Sequence, residues 1–347
     1  MNTLTINAPR PYNVIVGEHL MTNLGSYASR IINPGKAIVI SDSNIWPLYG
    51  TKVSSSLAQA GFNIYDYILP AGEKTKSGDT YLKLLGYLAE NHVQQSDLII
   101  ALGGGVICDI CGFLASTYLC GIAYIQVPTT LLAMISLSTG GITSINLPSN
   151  RNVAGTIYHP LLVVCDTATL SSLDTSDIKN GYAEIIKYSL ISDSKLFAHM
   201  QSHLDNFDRE YAVLRCIQLK SAIIEGTNSE LALLDLGRTV GHAIEITDNY
   251  MTSYGNALAL GIAAACRASC KLGICDNSLT ESVLKLLTDL SLPIGSAHTV
   301  DDIYDSALSH KLYKHNRIEI ILPKDVGQCI IHTTDRNGLR LFIESGL

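Results

Sequence analysis

Three short segments carry residues suited to holding a phosphorylated ligand. The apolar run Leu98-Ile99-Ile100-Ala101-Leu102 feeds Gly103-Gly104-Gly105, followed by Val106-Ile107-Cys108-Asp109. Glycines after a buried strand let the backbone approach a ligand closely, and the helix start that follows offers free N–H groups to a phosphate. The run is not GxGxxG, and an ordinary tight turn would use the same residues. Pro70-Ala71-Gly72-Glu73-Lys74-Thr75-Lys76 adds a turn with a carboxylate and amines able to reach a ribose and a phosphate. Pro128-Thr129-Thr130-Leu131 sets two hydroxyls beyond another apolar run. Three such segments at successive strand ends favour a dinucleotide in the crevice of a parallel sheet.

The nine cysteines carry less chemistry. Cys108 and Cys111 form a CxxC, and Cys266 and Cys270 lie one helical turn apart. A redox CxxC opens a helix, whereas this pair sits one turn inside. No second pair completes a zinc ribbon, so the thiols read as buried and reduced.

These residues need elements to hold them. Strands are expected at Val14 to Val16, Ala37 to Ile40, Ile64 to Leu69, Leu98 to Leu102, Tyr124 to Val127 and Leu162 to Cys165, with a helix over Asp79 to Asn91. Near-continuous apolar strands separated by helices describe a parallel sheet covered on both faces. From about Asp177 onward helical stretches take over: Asn180 to Leu190, Tyr211 to Ile224, Arg238 to Thr247, Ala257 to Leu272 and Leu279 to Leu290. Ile318 to Leu322 and Cys329 to Thr333 read as a late hairpin. The polar, cap-forming stretch Ser171 to Asp177 is the expected boundary. The expectation is a Rossmann-like α/β domain over 1–175 and a mainly helical domain over 176–347, with a ligand cleft between them.

Composition narrows the function classes. A chain of 347 residues suits two domains. With 24 Lys+Arg and 31 Asp+Glu, the net charge is 24 − 31 = −7, which argues against nucleic acid or an anionic membrane as partner. With 47% hydrophobic and 16% charged residues the chain builds a large core. No apolar run reaches the roughly 18 to 20 residues of a membrane span. Met1 to Tyr12 lacks a basic head followed by an apolar stretch. A cytoplasmic protein acting on a small molecule is the expectation.

Pro70 to Lys76, Ala101 to Asp109, Gln126 to Ala133, Gly181 to Lys187 (GYAEIIK) and Gly241-His242-Ala243-Ile244-Glu245 together resemble the 3-dehydroquinate synthases, over nearly the whole chain. The resemblance implies the two-domain fold of the sugar-phosphate cyclases, NAD as cofactor and a homodimer. Carried over by motif, NAD contacts fall on Glu73, Lys76, Gly104, Gly105, Val106, Asp109, Thr129, Thr130, Arg151, Thr169 and Ser172. Substrate-side groups fall on Asn152, Glu184, Lys187, Lys220 and His242. Taken singly, the two lysines read as helix-surface residues and His242 as a satisfied imidazole; in the motif context they read equally as cleft residues. Lys311 matches the first lysine of a DKK pattern.

The chain departs from the family where the family's chemistry is done. The resemblance implies a zinc held by one glutamate and two histidines. Glu184 matches the glutamate, but NxGHTxGH reads Asp235-Leu236-Gly237-Arg238-Thr239-Val240-Gly241-His242, and HGEA reads Tyr254-Gly255-Asn256-Ala257. Arg238 and Tyr254 thus stand where two ligands would be, and arginine does not give up its proton to bind a cation. No zinc is expected. Arg238 and Glu184 are expected to pair, either plugging the site or leaving a fixed cation for oxyanion charge. The phosphate clamp is altered as well. ATYxRG reads Ser116-Thr117-Tyr118-Leu119-Cys120-Gly121, and in DSSVGGKTGVN an aspartate becomes Ser136 and a lysine Ile142. GKN becomes Asn150-Arg151-Asn152, and a further arginine aligns near Leu231. Each lost cation removes a charge-assisted hydrogen bond of roughly 1.5 to 3 kcal/mol. The departures leave three readings: a metal-independent enzyme of altered chemistry, a catalytically silent scaffold, or a true 3-dehydroquinate synthase.

Overall fold

The computed structural model describes residues 1–148, 150–204, 207–310 and 317–347. Its contacts divide the chain into two compact units, Met1–Leu173 and Asp174–Leu347.

The first unit is built on a seven-stranded sheet in the order β1-β2-β9-β6-β5-β3-β4. Its strands are β1 (Asn2–Ile6), β2 (Tyr12–Gly17), β3 (Lys36–Asp42), β4 (Asn63–Leu69), β5 (Leu98–Gly103), β6 (Ala123–Pro128) and β9 (Leu162–Asp166). All neighbours run parallel except β1, which pairs antiparallel with β2. Alternation along the strands supplies two cores. From β5, Leu98, Ile100 and Leu102 pack on one face with α1 (Leu24–Ser29) and α2 (Thr51–Gln59). Ile99 and Ala101 pack on the other with α3 (Gly78–Glu90) and α4 (Gly105–Thr117). Strands buried on both sides cannot alternate with polar residues, which is why these runs are continuously apolar. After β6 come α5 (Leu131–Ser136) and a separate hairpin of β7 (Ile142–Leu147) and β8 (Asn150–Ile157).

The chain leaves β3 for β4 on one side and returns to β5 on the other, so β3 and β5 flank a reversal of strand order. Ligands of open parallel sheets bind outside the carboxyl ends of such strands. Two residues beyond the Ile40–Ala101 pair of these strands stand Asp42 and Gly103.

The second unit contains α6 (Thr175–Ser192), α7 (Ser194–Ser202), α8 (Arg209–Glu225), α9 (Asn228–Ala232), α10 (Arg238–Thr247), α11 (Tyr254–Lys271), α12 (Asn277–Asp289), α13 (Val300–His310) and α14 (Arg336–Gly346). The hairpin of β10 (Ile318–Asp325) and β11 (Gln328–Thr334) accompanies them. Backbone contact sets the packing of α10 on α11. A Cβ on Gly261 would lie 1.8 Å from the Gly237 carbonyl oxygen, and one on Gly241 would lie 2.6 Å from that of Ala257. Gly237 itself has φ 75°, a conformation that favours glycine. At the other end of α11, Gly255 lies against Asn180 of α6 and donates its N–H to the Asn180 side chain at 2.8 Å. Among the described residues, no helix is long and apolar enough to cross a membrane.

Candidate functional site

Two clusters emerge, one in each unit. In the first, a polar chain links three of the segments marked in the sequence. Buried Lys76 donates to Asp109 of α4 and to the Asn152 side-chain oxygen of β8. Ser144 donates to the same oxygen at 3.1 Å. Asn152 has φ 59° and donates its N–H to Asn146 at 2.9 Å, and Asn146 donates to Glu73 at 2.7 Å. Glu73, Lys76, Asp109 and Asn152 thus stand in one network around the first turns of α4. Asn146 and Ser144 complete it and were not singled out from the sequence.

Helix α4 begins at Gly105 after Gly104, with no side chain capping its N–H groups. Gly104, Gly105 and Val106 therefore present the helix N-terminus, the arrangement that suits a phosphate. Thr129 donates its N–H to the Gly103 carbonyl at 3.0 Å, while its own buried hydroxyl has no hydrogen-bond partner. An orphaned buried hydroxyl beside uncapped helix N–H groups fits a bound dinucleotide. Thr130 is occupied as the cap of α5, accepting from Ala133 N–H. The Thr169 hydroxyl donates to Asp166 and Thr129 carbonyls, and Ser172 accepts from Tyr49 at 2.7 Å. Arg151 lies beside Asn152 on β8. Asp42 was missed: an acidic residue at the end of the strand beside the glycine turn is the group that reads a ribose hydroxyl. It accepts from the N–H groups of Asn44 and Ile45.

The cysteines are all free, and Cys108, Cys111 and Cys165 are fully buried. Burial pushes the Cys165 thiol up to about 12, and it raises Cys108 and Cys111 as well. Such thiols are inert packing groups. Where the resemblance implies cations, Cys120 and Ile142 are exposed, and where it implies an aspartate, the Ser136 hydroxyl donates to the Leu132 carbonyl at 2.6 Å.

The second cluster centres on Glu184 of α6. Its side chain is 2% exposed and accepts from Lys187 Nζ at 2.5 Å and from the Tyr254 hydroxyl at 3.0 Å. Burial works against this charge, but Lys187, Lys220 of α8 and the Tyr254 hydroxyl outweigh it and hold the carboxyl below its ordinary range. The Lys187 ammonium also lies over the Tyr188 ring, 4.9 Å from its centroid. His242 approaches Glu245 with Nδ1 3.2 Å from Oε2. Lys311 lies outside the described residues.

One expectation is corrected here. Arg238 does not take Glu184 as its partner. Its ion pair is with Asp235, Nε to Oδ1 at 3.9 Å. A lysine three residues along the same helix reaches Glu184 without bridging two helices, and the Tyr254 hydroxyl fills the other oxygen. The donors also fail as a zinc site. Both glutamate oxygens already accept hydrogen bonds, the next position is a permanent cation, and the third is a phenol that burial and then the Glu184 charge keep protonated. Among the described residues, no three His, Cys, Asp or Glu side chains gather into a group able to hold a metal ion.

Family models match both units: 3-dehydroquinate synthase N-terminal over residues 66–180 and 3-dehydroquinate synthase C-terminal over 181–312. The 3-dehydroquinate synthase of Clostridium acetobutylicum is 33% identical over 333 residues, spanning 93% of this chain and 94% of that protein. That of Caldanaerobacter subterraneus subsp. tengcongensis is 34% identical over 332 residues, spanning 92% and 93%. The same fold recurs in 2-deoxy-scyllo-inosose synthase, solved with carbaglucose-6-phosphate, NAD+ and Co2+. Its TM-score is 0.88 at 23% identity, with both chains fully covered. It recurs also in 2-epi-5-epi-valiolone synthase of Streptomyces hygroscopicus subsp. jinggangensis, solved with NAD+ and Zn2+. There the TM-score is 0.87 at 22% identity, covering 100% of this chain and 97% of that one. Sequence motifs, strand order and relatives of matching length agree that this chain belongs to the 3-dehydroquinate synthase family of sugar-phosphate cyclases.

Proposed function

We propose that the chain is an NAD-dependent enzyme acting on a polyol or keto-sugar-like small molecule, without metal and without expelling phosphate. The observation that carries this reading is the network Glu73–Asn146–Asn152–Lys76–Asp109 around the uncapped start of α4. A chain that had ceased to bind a nucleotide would have no use for it. Solved neighbours of this fold carry NAD+, and bound NAD accepts or returns a hydride. In this chain Gly104, Gly105 and Val106 would meet its phosphates, and Lys76, Asp109 and the Thr129 hydroxyl its polar groups. On the substrate side Lys187, Lys220 and His242 are the groups able to carry protons. Arg238 supplies fixed positive charge. Cys120 and Ile142 in place of cations argue against a phosphorylated substrate. A homodimer in the cytoplasm is the form we propose, and the exposed Ile142, Val153 and Ile157 of the β7–β8 hairpin are apolar surface a second copy would cover.

Two other readings compete. Glu184 satisfied from within by Lys187 and Tyr254 favours a catalytically silent scaffold. Curated relatives named 3-dehydroquinate synthase favour that lyase activity. Calorimetric titration with NAD+ and NADH separates the first two, since a silent scaffold binds neither at millimolar concentration. Micromolar binding sends the enzyme to a screen of unphosphorylated polyols and keto-sugars. Steady phosphate release from the heptulosonate phosphate of that lyase, with added Zn2+ or Co2+, would overturn the metal-free reading.

A further inference from the structure

A cation stands where the family places a cation-binding group, and the helix frame holds it there. The close approaches Gly261 to Gly237 and Gly241 to Ala257 leave α10 and α11 no room to slide, so the first residues of the two helices, Arg238 and Tyr254, keep a fixed relation. Glu184 makes no direct ion pair with Arg238, because Lys187 and Tyr254 occupy both of its oxygens, and its charge, like those of Asp235 and Glu245, acts on the guanidinium only through space. The Asp235 contact is 3.9 Å long, between side chains 54% and 57% exposed, and such a pair contributes little. The Tyr254 hydroxyl is spent as a donor to Glu184 and offers Arg238 no counter-charge. A planar guanidinium with fixed charge matches the two oxygens of a carboxylate.

We infer that the metal position has become an anion position, with Arg238 binding a carboxylate of a small organic acid through its guanidinium. The inference rests on the metal-free reading above and adds the class of group that this cluster recognises. A divalent cation is excluded by the same charge that attracts the carboxylate. His242, one turn further along α10 and held towards Glu245, places an imidazole on the same helix face as the bound acid.

Sodium oxalate is the probe, titrated calorimetrically against sodium chloride of equal ionic strength. Wild-type protein, Arg238→Gln, Arg238→Lys and Asp235→Asn are compared, with NAD+ titrated into each sample. Wild type is expected to bind oxalate saturably. Arg238→Gln weakens it by about tenfold or more, the scale of one lost charge-assisted hydrogen bond. Arg238→Lys falls between, keeping the charge and losing the fork, and Asp235→Asn binds tighter because a competing carboxylate is gone. No saturable oxalate binding by wild type overturns the inference. So does an Arg238→Gln affinity within about twofold of wild type, or one zinc per chain in wild type. The two proposals fail separately. Oxalate bound without NAD+ removes the cofactor reading and leaves this one, and NAD+ bound without oxalate does the reverse.

Discussion

Tyr254 donates its phenolic hydrogen to Glu184 at 3.0 Å, joining the first turn of α11 to the middle of α6. The family's first and third metal-ligand positions are therefore neighbours in this chain, although neither side chain is available to a metal.

If position is all that survives, returning the donors returns the metal. The double variant Arg238→His, Tyr254→His is expected to bind Zn2+ with micromolar or better affinity by calorimetry, and wild type to hold less than about 0.1 zinc per chain by elemental analysis. A double variant that stays folded and binds none would show that the helix frame does not bring the three positions into a ligand set.

The Lys187–Glu184 pair is buried on both sides. Removing one member of a buried pair strands the other charge, at about 3 to 5 kcal/mol. Lys187→Met and Glu184→Gln are each expected to lower stability on this scale in urea unfolding, the glutamine less because it keeps hydrogen bonds. The double variant should lose clearly less than the sum. Additive losses would mean that the two side chains do not stabilise one another.

Acid sensitivity follows from the same carboxylate. Glu184 and Asp193 both have pKa values below the ordinary range. Burial opposes each charge, and Lys187 with Lys220 outweighs it in one case, Arg215 with the Leu196 and Lys195 N–H groups in the other. A carboxyl with a lower pKa folded than unfolded stabilises the protein above its unfolded value, and this is lost as pH falls through the folded value. The urea midpoint should fall steeply below about pH 4.5, the ordinary glutamate value. His159, whose pKa burial lowers from 6.5, adds a smaller decline beginning there, because the unfolded imidazole takes up its proton first. A midpoint unchanged between pH 7 and pH 3.5 would refute the assignment.

The polar network around the start of α4 makes predictions at one neutral residue and at two charged ones. Asn146→Ala removes the link between Glu73 and Asn152 and should weaken NAD+ binding several-fold with the fold intact. Lys76→Met, which also leaves Asp109 without its cation, should weaken it at least about tenfold. Asp42 at the end of β3 should make NAD+ bind more tightly than NADP+, because the extra phosphate would meet a carboxylate. Asp42→Ala should narrow that ratio; equal ratios in both proteins would remove Asp42 from the site.

The parallel strands and the long helices were legible because burial on two faces writes continuous apolar runs and burial on one face writes a helical period. The β7–β8 hairpin was not. Every residue of β8 is exposed or half-exposed, so no alternation marks it, and the hairpin sets Asn152 of β8 against Lys76 and Asn146 of β7 against Glu73. The site followed the same division. Glycine turns and the GYAEIIK motif could be read directly, whereas the partner of Glu184 could not. Sequence order suggests charge pairs without saying which is in reach, and the one-turn spacing of Lys187 decided it.

The backbone contacts between α10 and α11 explain how Arg238 and Tyr254 can stand where the family pattern has histidines while the fold is kept. Where a metal ion organises its own surroundings, losing it dissolves the frame. Here the carbonyl of Gly237 rests directly against Gly261, and the spacing of positions 238 and 254 is a property of main chain alone. Side chains at those two places are therefore interchangeable parts on a rigid mount. A lineage holding such a mount could exchange them singly, pass through inactive combinations without unfolding, and arrive at a different ligand with the architecture intact.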